Sequence, residues 1–327
     1  MTGSRQRDGR PVGSVDPGDH PGSPGPTGLP RRSWFGVARA SVREVVDDQL
    51  TDAAAALTYY SALSVFPGLL VLVSLVGFVG EDVTARLVQD LGAAVPGAAR
   101  DILVGAVESL QANRRTAGTA AVLGLLGGIW SASGYVGAYM RASNTVYDVP
   151  EGRPVWKTLP IRLAVTVVLL VLLAASVVII VFTGGAADWV GDVLGLGTTV
   201  VTAWGILKWP VLLALLMLVI AILNWASPNA RHPGFRWVTP GSILSILLWG
   251  LASVGLAFYV ANFADYNKVY GTLAGVVVFL VWLWVSNLAL LVGAEFDAEL
   301  ERARAEATGH PPGEEPYLEL RDTRTLG

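Results

Sequence analysis

The 327-residue sequence contains no cysteine and only three histidines. The absence of cysteine excludes disulfide bonds, thiolate metal sites and cysteine nucleophiles. The histidines, His20, His232 and His310, lie far apart in predicted tails or loops, so they offer no cluster of metal ligands. No Walker loop, nucleophile elbow or zincin motif is present. The sequence therefore predicts no catalytic residue, no cofactor and no metal site.

Charge is scarce as well: 15% of the residues are charged, while 53% are hydrophobic and the mean hydropathy is +0.53. Ordinary soluble domains have roughly 25% charged and 45–50% apolar residues. A water-facing globule of this length cannot bury such an excess of apolar side chains. The net charge of −3 gives no general attraction to a polyanion, so no nucleic-acid partner is predicted.

Six long stretches contain no Asp, Glu, Lys or Arg. Each is long enough to supply the roughly 20 residues that a helix needs to cross a bilayer. The stretches predict six transmembrane helices, at about 53–79, 116–141, 161–184, 203–227, 238–263 and 270–296. The predicted fold class is therefore an all-α integral membrane protein, with residues 34–300 as its transmembrane domain.

Polar tails flank this domain. Thirteen of the first 33 residues are Gly or Pro, which predicts a disordered cytoplasmic tail over 1–33. No apolar core follows the first basic residues, so no cleaved signal peptide is expected. Residues 301–327 are predicted to form a polar cytoplasmic tail, in which a frayed charged helix leads into irregular chain.

The basic residues of the connections predict the orientation. Arginines and lysines precede the first span and occupy the second-to-third and fourth-to-fifth connections, whereas the third-to-fourth connection has none. The positive-inside rule then places both termini in the cytoplasm. The long first external connection, Glu81–Arg115, contains four arginines and departs from the rule. Its apolar spacing predicts two short amphipathic helices that lie on the outer surface or cap the bundle.

Seven polar or kink-forming positions in or at the ends of the predicted spans form a candidate cavity or gate: Tyr59, Tyr60, Ser64, Pro67, Arg141, Asn287 and Glu295. In the first span, Pro67 lacks an N–H and its ring clashes with the preceding turn, which predicts a kink. A polar kink in a membrane faces protein or water. The kinked segment either lines a cavity or satisfies its freed carbonyls with its own hydroxyl groups.

Small residues form one face of the second span. Gly127, Ser131, Gly134 and Ala138 recur at spacings of four, three and four, and Arg141 ends the series. Such faces allow close helix packing in lipid. Arg141 either snorkels to the cytoplasmic headgroups or forms a positive gate or anion site.

Two further positions have alternative interpretations. Asn287 and Glu295 share a face of the sixth span, where Glu295 is an interfacial anchor, a partner for an arginine or a proton carrier. Lys208 is an outer-interface anchor if the fourth span begins at Trp209. If the helix runs unbroken from Thr199, Lys208 becomes an intramembrane charge, which suggests a function.

Three stretches together resemble the YihY/BrkB family of bacterial inner-membrane proteins. They are Asp47–Gly77 with its YY-S-x-x-S-x-F-P run, Ser133–Val149, and Thr239–Leu300 with its Gly-Ala-Glu sequence. The similarity extends over about residues 39–304 and implies a six-helix fold in the bacterial plasma membrane. Some family members have been labelled ribonuclease BN, but this sequence has no paired metal-binding acids, histidine cluster or basic groove for that chemistry.

The resemblance implies export or flipping of a lipid or other envelope component. We therefore expect a transporter or flippase that uses a cavity around Tyr60, Ser64, Pro67 and Asn287. The alternative is a non-transporting scaffold for envelope assembly, and a membrane enzyme is a third, less favoured function. The expected partners are membrane lipids, an envelope lipid or small-molecule substrate, and further copies of the chain or other membrane proteins.

Overall fold

The computed structural model describes residues 31–77, 117–181, 198–232, 235, 237–263 and 272–326. This part of the chain forms seven α-helices: α1 (Arg31–Asp47), α2 (Leu50–Gly77), α3 (Ala117–Val146), α4 (Val155–Val181), α5 (Thr198–Ala226), α6 (Pro240–Phe263) and α7 (Thr272–Ala307). The one extended pairing within it is an isolated antiparallel bridge between Ala230 and Leu320.

Each of the six predicted spans falls on one helix, from α2 to α7. Four of these helices contain stretches long and apolar enough to cross a membrane: Val155–Ile180, Thr202–Ala226, Pro240–Val260 and Gly275–Ala307. The all-helical expectation is thus confirmed for the described residues, while the count of six spans and the orientation stay predictions. Residues 1–30 of the tail predicted over 1–33 and the connection Glu81–Arg115 lie outside the described residues, whereas residues 31–33 belong to α1.

Local sequence explains where two of the helices begin and end. At the end of α3, Asp148 adopts φ 49° and the N–H of Val149 bonds to the carbonyl of Asn144, which closes the last turn. At the start of α6, Thr239 and Ser242 bond each other's backbone N–H groups reciprocally, as in a capping box. Pro240 occupies the first helical position, where its missing N–H costs nothing.

Glycine sets the closest helix contacts. A Cβ atom at Gly293 of α7 would lie 2.3 Å from the carbonyl oxygen of Gly241 of α6 and 1.9 Å from the Ser245 hydroxyl. At Gly134 of α3, a Cβ atom would lie 2.8 Å from the Tyr60 ring of α2. The small-residue face predicted on α3 therefore packs against α2 at Gly134.

The C-terminal segment, residues 308–326, packs against the connections between α3 and α4 and between α5 and α6. The sequence predicts a frayed tail here, but the segment is held by hydrogen bonds that it makes to loop residues far away in the chain. We call this end of the bundle the tail end and the opposite one the far end. The tail end contains the ends of α3, α5 and α7 and the starts of α2, α4 and α6.

Lys208 lies within a continuous α5, which begins at Thr198 rather than at Trp209. Its ammonium group lies 5.3 Å from the centroid of the Trp209 ring, a cation–π distance. The helix therefore runs unbroken through Lys208, which was the condition for an intramembrane charge. The depth of Lys208 in a membrane stays a prediction.

Candidate functional site

A cavity of about 450 Å³ lies inside the bundle, between α2, α3, α4, α5, α6 and α7. Most of its wall consists of Leu, Ile, Val and Ala side chains. Seven lining residues carry a hydroxyl or amide group: Ser61, Ser64, Tyr135, Thr166, Ser245, Ser286 and Asn287. No lining residue in the described part of the chain is charged.

The hydroxyl groups of the wall donate mainly to their own helices. The Ser64 hydroxyl donates to the Tyr60 carbonyl at 2.7 Å, and Thr166 and Ser286 make the same one-turn bond at 2.7 Å. Their oxygen atoms keep lone pairs that can accept a further hydrogen bond. The cavity therefore offers weak acceptors in an apolar surrounding, which is suited to an uncharged group with a few donors.

Asn287 joins three helices at the wall of the cavity. Its Oδ1 accepts a hydrogen bond from the Tyr135 hydroxyl of α3 at 3.1 Å, and its Nδ2 donates to the Thr58 hydroxyl of α2 at 3.2 Å. Thr58 in turn donates to the Ala54 carbonyl. Asn287 is 6% exposed, so water does not replace these bonds easily.

The wall nearer the tail end is closed by close packing. The Tyr139 hydroxyl of α3 donates to Asn224 of α5, and Tyr139 is completely buried. Leu57 of α2 and Leu291 of α7 are also fully buried at this level. An aromatic and aliphatic layer with one hydrogen bond therefore separates the cavity from the tail end.

Glu295 lies on α7, two turns beyond Asn287 toward the tail end. It is 1% exposed, and its Oε2 has no hydrogen-bond partner within the described residues. The neighbouring charged groups include the acidic Asp48 and Glu299. Burial of a carboxylate oxygen without a hydrogen-bond partner is costly.

A fully buried asparagine holds the tail end together. Asn229, in the connection between α5 and α6, donates through Nδ2 to the carbonyls of Pro150 at 3.0 Å and Asp322 at 2.9 Å. Its Oδ1 accepts from the Asp322 N–H at 3.1 Å, and its own N–H donates to Asn144 at 2.8 Å. One side chain and its backbone N–H thus join α3, the following loop and the C-terminal segment.

Two ion pairs accompany this asparagine. Arg153 is buried and pairs with Glu151 at 2.7 Å, while it also donates to the Ser227 carbonyl. Lys157 donates to Asp322 at 2.5 Å, and this bond holds the pKa of Asp322 below its usual value. The Lys157 pair connects the start of α4 to the C-terminal segment, and the Arg153 bond to Ser227 connects the loop after α3 to the connection after α5.

The structure brings only part of the predicted site to the cavity. Ser64 and Asn287 line it. Tyr60 packs on Gly134 beside it, and Tyr59 points away with 61% of its surface exposed.

The remaining predicted site residues lie elsewhere. Arg141 is exposed on α3, and Glu295 is buried below the cavity. α2 runs through position 67, but the Pro67 side chain lies outside the described residues. The structure therefore leaves the predicted kink untested.

Sequence reasoning missed the residues of the tail end, Asn229, Asp322 and Gly152 above all. A Cβ atom at Gly152 would lie 2.0 Å from the Asp322 carbonyl oxygen, so this glycine admits the C-terminal segment. Short loops with Pro, Gly and Asn indicate turns, but they do not indicate which distant segment they contact. No group of His, Cys, Asp or Glu in the described residues has an arrangement that could hold a metal ion.

Comparison with known proteins identifies similar sequences. Residues 41–317 match the model of a protein family described as "Virulence factor BrkB". The chain is 27% identical to a ribonuclease-like protein, YfkH, of Bacillus subtilis over 80% of this chain and 92% of that protein. It is 24% identical to a UPF0761 membrane protein of Xanthomonas campestris over 85% of this chain but 64% of that protein, so it spans less than two thirds of this relative. No solved structure matches the chain.

Proposed function

Because this chain belongs to the BrkB virulence-factor family of membrane proteins, we propose that it is a transporter or flippase of the bacterial plasma membrane. Its cargo is an amphiphilic lipid or another envelope component. The cavity of about 450 Å³ is the observation that carries the proposal. Its volume lies within the roughly 300–1,000 Å³ of typical ligand pockets.

The lining of the cavity supports an amphiphilic cargo. Leucine, isoleucine and valine side chains from several helices favour an acyl or similar apolar segment, because its transfer from water is favourable. The hydroxyl groups and Asn287 can bond an uncharged polar part of the same molecule. A charged group would be left without a counter-ion in this cavity, so the cargo keeps its charge outside it.

The proposed topology has six spans and both termini in the cytoplasm, which makes the tail end the cytoplasmic one. Basic residues support this orientation. The tail end carries Arg153, Lys157, Arg231, Arg302 and Arg321. Cytoplasmic connections of membrane proteins have such an excess of arginine and lysine.

In this proposal the structure represents a state closed toward the cytoplasm. The pair of Tyr139 and Asn224 and the bonds of Asn229 keep the tail end closed, so the cargo does not pass through this end. The cargo instead enters laterally between helices and leaves through the half of the bundle toward the far end, which shifts against the closed tail end.

The ribonuclease-like name of the Bacillus relative does not fit this chain well. A ribonuclease would need basic residues along an RNA path or paired acids for metal ions. The net charge of −3, the three scattered histidines and the apolar cavity offer neither. The alternative that we retain is a scaffold that assembles envelope proteins without moving a cargo.

Reconstitution into liposomes tests the proposal. The assay measures movement of labelled phospholipids between leaflets, with solute leakage recorded in the same vesicles. We expect Leu170→Trp, which fills part of the cavity, to reduce transport at least about tenfold, equivalent to ~1.4 kcal/mol in the barrier. Pro67→Ala, added as a second variant, tests the predicted kink in α2.

A matched control lies one position further along the same helix. Val171 is 62% exposed and does not line the cavity, so Val171→Trp should transport like the unchanged protein. Equal transport by the Leu170 and Val171 variants, both folded, would remove the cavity from the pathway. Vesicles in which the unchanged protein moves no tested lipid would favour the scaffold function.

A further inference from the structure

Arg162 of α4 extends across the surface of α3. Its Nη2 donates to the Ser133 hydroxyl at 2.7 Å. A Cβ atom at Gly137 would lie 3.2 Å from three side-chain atoms of Arg162, so glycine leaves the space in which this side chain lies. The guanidinium carbon also lies 6.0 Å from the centroid of the Trp130 ring, which is 62% exposed.

The side chain of Arg141, on α3 itself, also lies at Gly137. Its Nη1 donates to the Gly137 carbonyl at 3.0 Å, so the guanidinium group folds back along α3 toward the middle of the helix. Arg141 and Arg162 interact electrostatically with each other. Two guanidinium groups therefore converge around Gly137, although like charges repel.

Neither arginine has an acidic partner among the residues that the structure describes. The Nε of Arg162 is buried and has no hydrogen-bond acceptor there. Other arginines are paired: Arg43 with Asp47, Arg153 with Glu151, and Arg302 with Glu299. The pair of Arg141 and Arg162 thus retains both unused donors and an uncompensated double positive charge.

The position of this pair along the helices makes the absence of a negatively charged partner energetically costly. Ser133 and Gly137 belong to the stretch Thr116–Met140, which contains no charged residue and is predicted to lie in the membrane. Both guanidinium groups are directed to this stretch rather than beyond the end of α3. Charged groups at such a depth are rare and mark ligand or ion pathways.

We propose that Arg141 and Arg162, beside Trp130, bind the phosphate group of a phospholipid on the lipid-facing surface of α3. The buried Ser133 positions the Arg162 guanidinium group for this contact. Guanidinium groups donate paired hydrogen bonds to phosphate oxygens, and two of them balance its charge.

The site is separate from the cavity. On α3, the cavity is lined by Gly128, Ala132, Tyr135 and Val136, whereas Ser133, Gly137 and Arg141 belong to a different face. The phosphate site therefore does not depend on the proposed transport. If both exist, they separate the charged headgroup from the apolar part of one lipid.

Lipid binding to the full-length protein in a phosphate-free neutral detergent tests the proposal. Native mass spectrometry counts bound phosphatidylglycerol, with diacylglycerol as the probe that lacks phosphate. We expect the unchanged protein to bind phosphatidylglycerol at least about tenfold more tightly than diacylglycerol, and the double variant Arg141→Gln/Arg162→Gln to lose this difference. Arg43→Gln, which removes an exposed arginine of α1, should bind like the unchanged protein.

Two single variants protect the test against misfolding. Arg141 is exposed, so Arg141→Gln should fold normally and still weaken binding, while Arg162→Lys keeps the charge and should retain part of it. Competition by inorganic phosphate at millimolar concentration would show that the site takes phosphate from either source. Equal binding of the two lipids by the unchanged protein, or unaltered phosphatidylglycerol binding by folded Arg141→Gln and double variants, would overturn the proposal.

Discussion

The tail end differs from the half of the bundle toward the far end, which we call the far half, in how closely the helices meet. Near the tail end, a Cβ atom added at Gly152, Gly241 or Gly293 would come within 2.0 Å of another segment. In the far half, glycines have no neighbouring atom within 4 Å in the described part of the structure: Gly127, Gly205, Gly255 and Gly275. Three glycines thus mark tight contact at the tail end, where Gly309 and Gly313 are open, while these far-half glycines meet no other described atom.

Hydrogen bonds and ion pairs follow the same division. Asn229, Arg153 and Asp322 join separate segments at the tail end. Large apolar side chains such as Leu251 and Val254 stay about 70% exposed in the far half of α6, where lipid would cover them. Apolar surfaces gain little by meeting each other in lipid, so close contacts and polar bonds must hold the helices together.

This difference indicates which half moves. A half held by buried hydrogen bonds resists separation, whereas helices that present apolar faces to lipid can shift with little loss. The cavity lies between these two regions. We therefore expect the tail end to act as the fixed part of the molecule and the far half to open and close.

Gly293→Ala should produce the largest loss of stability. The added methyl group would overlap the Gly241 carbonyl and the Ser245 hydroxyl, and a backbone oxygen cannot move aside easily. We expect α6 and α7 to separate and the free energy of unfolding to fall by more than about 3 kcal/mol. Thermal unfolding in detergent, followed by size-exclusion chromatography with fluorescence detection, measures the change.

Gly275→Ala is the matched control, on the same helix but in the far half. Nothing described lies within 4 Å of its added Cβ atom, and alanine favours a helix by about 0.5–1 kcal/mol over glycine. The control should be neutral or slightly stabilising. A large loss at Gly275 would contradict the comparison and would indicate that a second copy of the chain covers this face.

Asn229→Ala should have the next largest effect, because it removes bonds to two carbonyls and one N–H group. Buried groups left without partners cost about 2–3 kcal/mol in total. The C-terminal segment should then detach, which frees the backbone around Arg321 and Arg324 for cleavage by trypsin. The rate of cleavage, followed by mass spectrometry of the released peptides, measures the detachment.

Asn262→Ala tests whether this effect belongs to the tail end. Asn262 is exposed in the far half of α6 and bonds only the Phe258 carbonyl of its own helix among the described residues. Cleavage of the C-terminal segment should stay at the rate of the unchanged protein. Equal acceleration by both variants would mean that the tail end is not a separate, locally bonded unit.

The sequence predicts much of this fold for a simple reason. Charge-free stretches reveal helix positions directly, because charged side chains are costly inside a bilayer and therefore rare there. Each of α2 to α7 therefore lies where the sequence places it. Asn287 could be proposed for the site on the same basis, since a buried amide in an apolar helix needs a partner.

The tail end was not predictable in the same way. Asp322 and Asn229 are 93 positions apart, and nothing in the local pattern of either indicates their contact. Arg162 belongs to this class too, because its role depends on a neighbouring helix that leaves space at Gly137. Contacts between distant segments depend on shape, which a single sequence does not specify.

A substitution at Asp48, between α1 and α2, should have the smallest effect on stability of the changes considered. Burial and the nearby Asp148 and Glu44 raise its pKa from 3.8 to about 7, although Arg302 opposes the shift. The folded protein therefore disfavours the ionised form more than the unfolded chain does. This carboxyl contributes most to stability at low pH, and the contribution is lost as the pH rises through about 7.

Asp48→Asn should remove this pH dependence at the tail end. The variant should match the unchanged protein near pH 4 and become more stable than it between pH 4 and 7, with a constant difference above pH 8. The group is half exposed, so screening by solvent limits the gain to less than about 1 kcal/mol. Unfolding midpoints measured at several pH values decide the matter: if the two curves stay parallel, Asp48 does not titrate in this range.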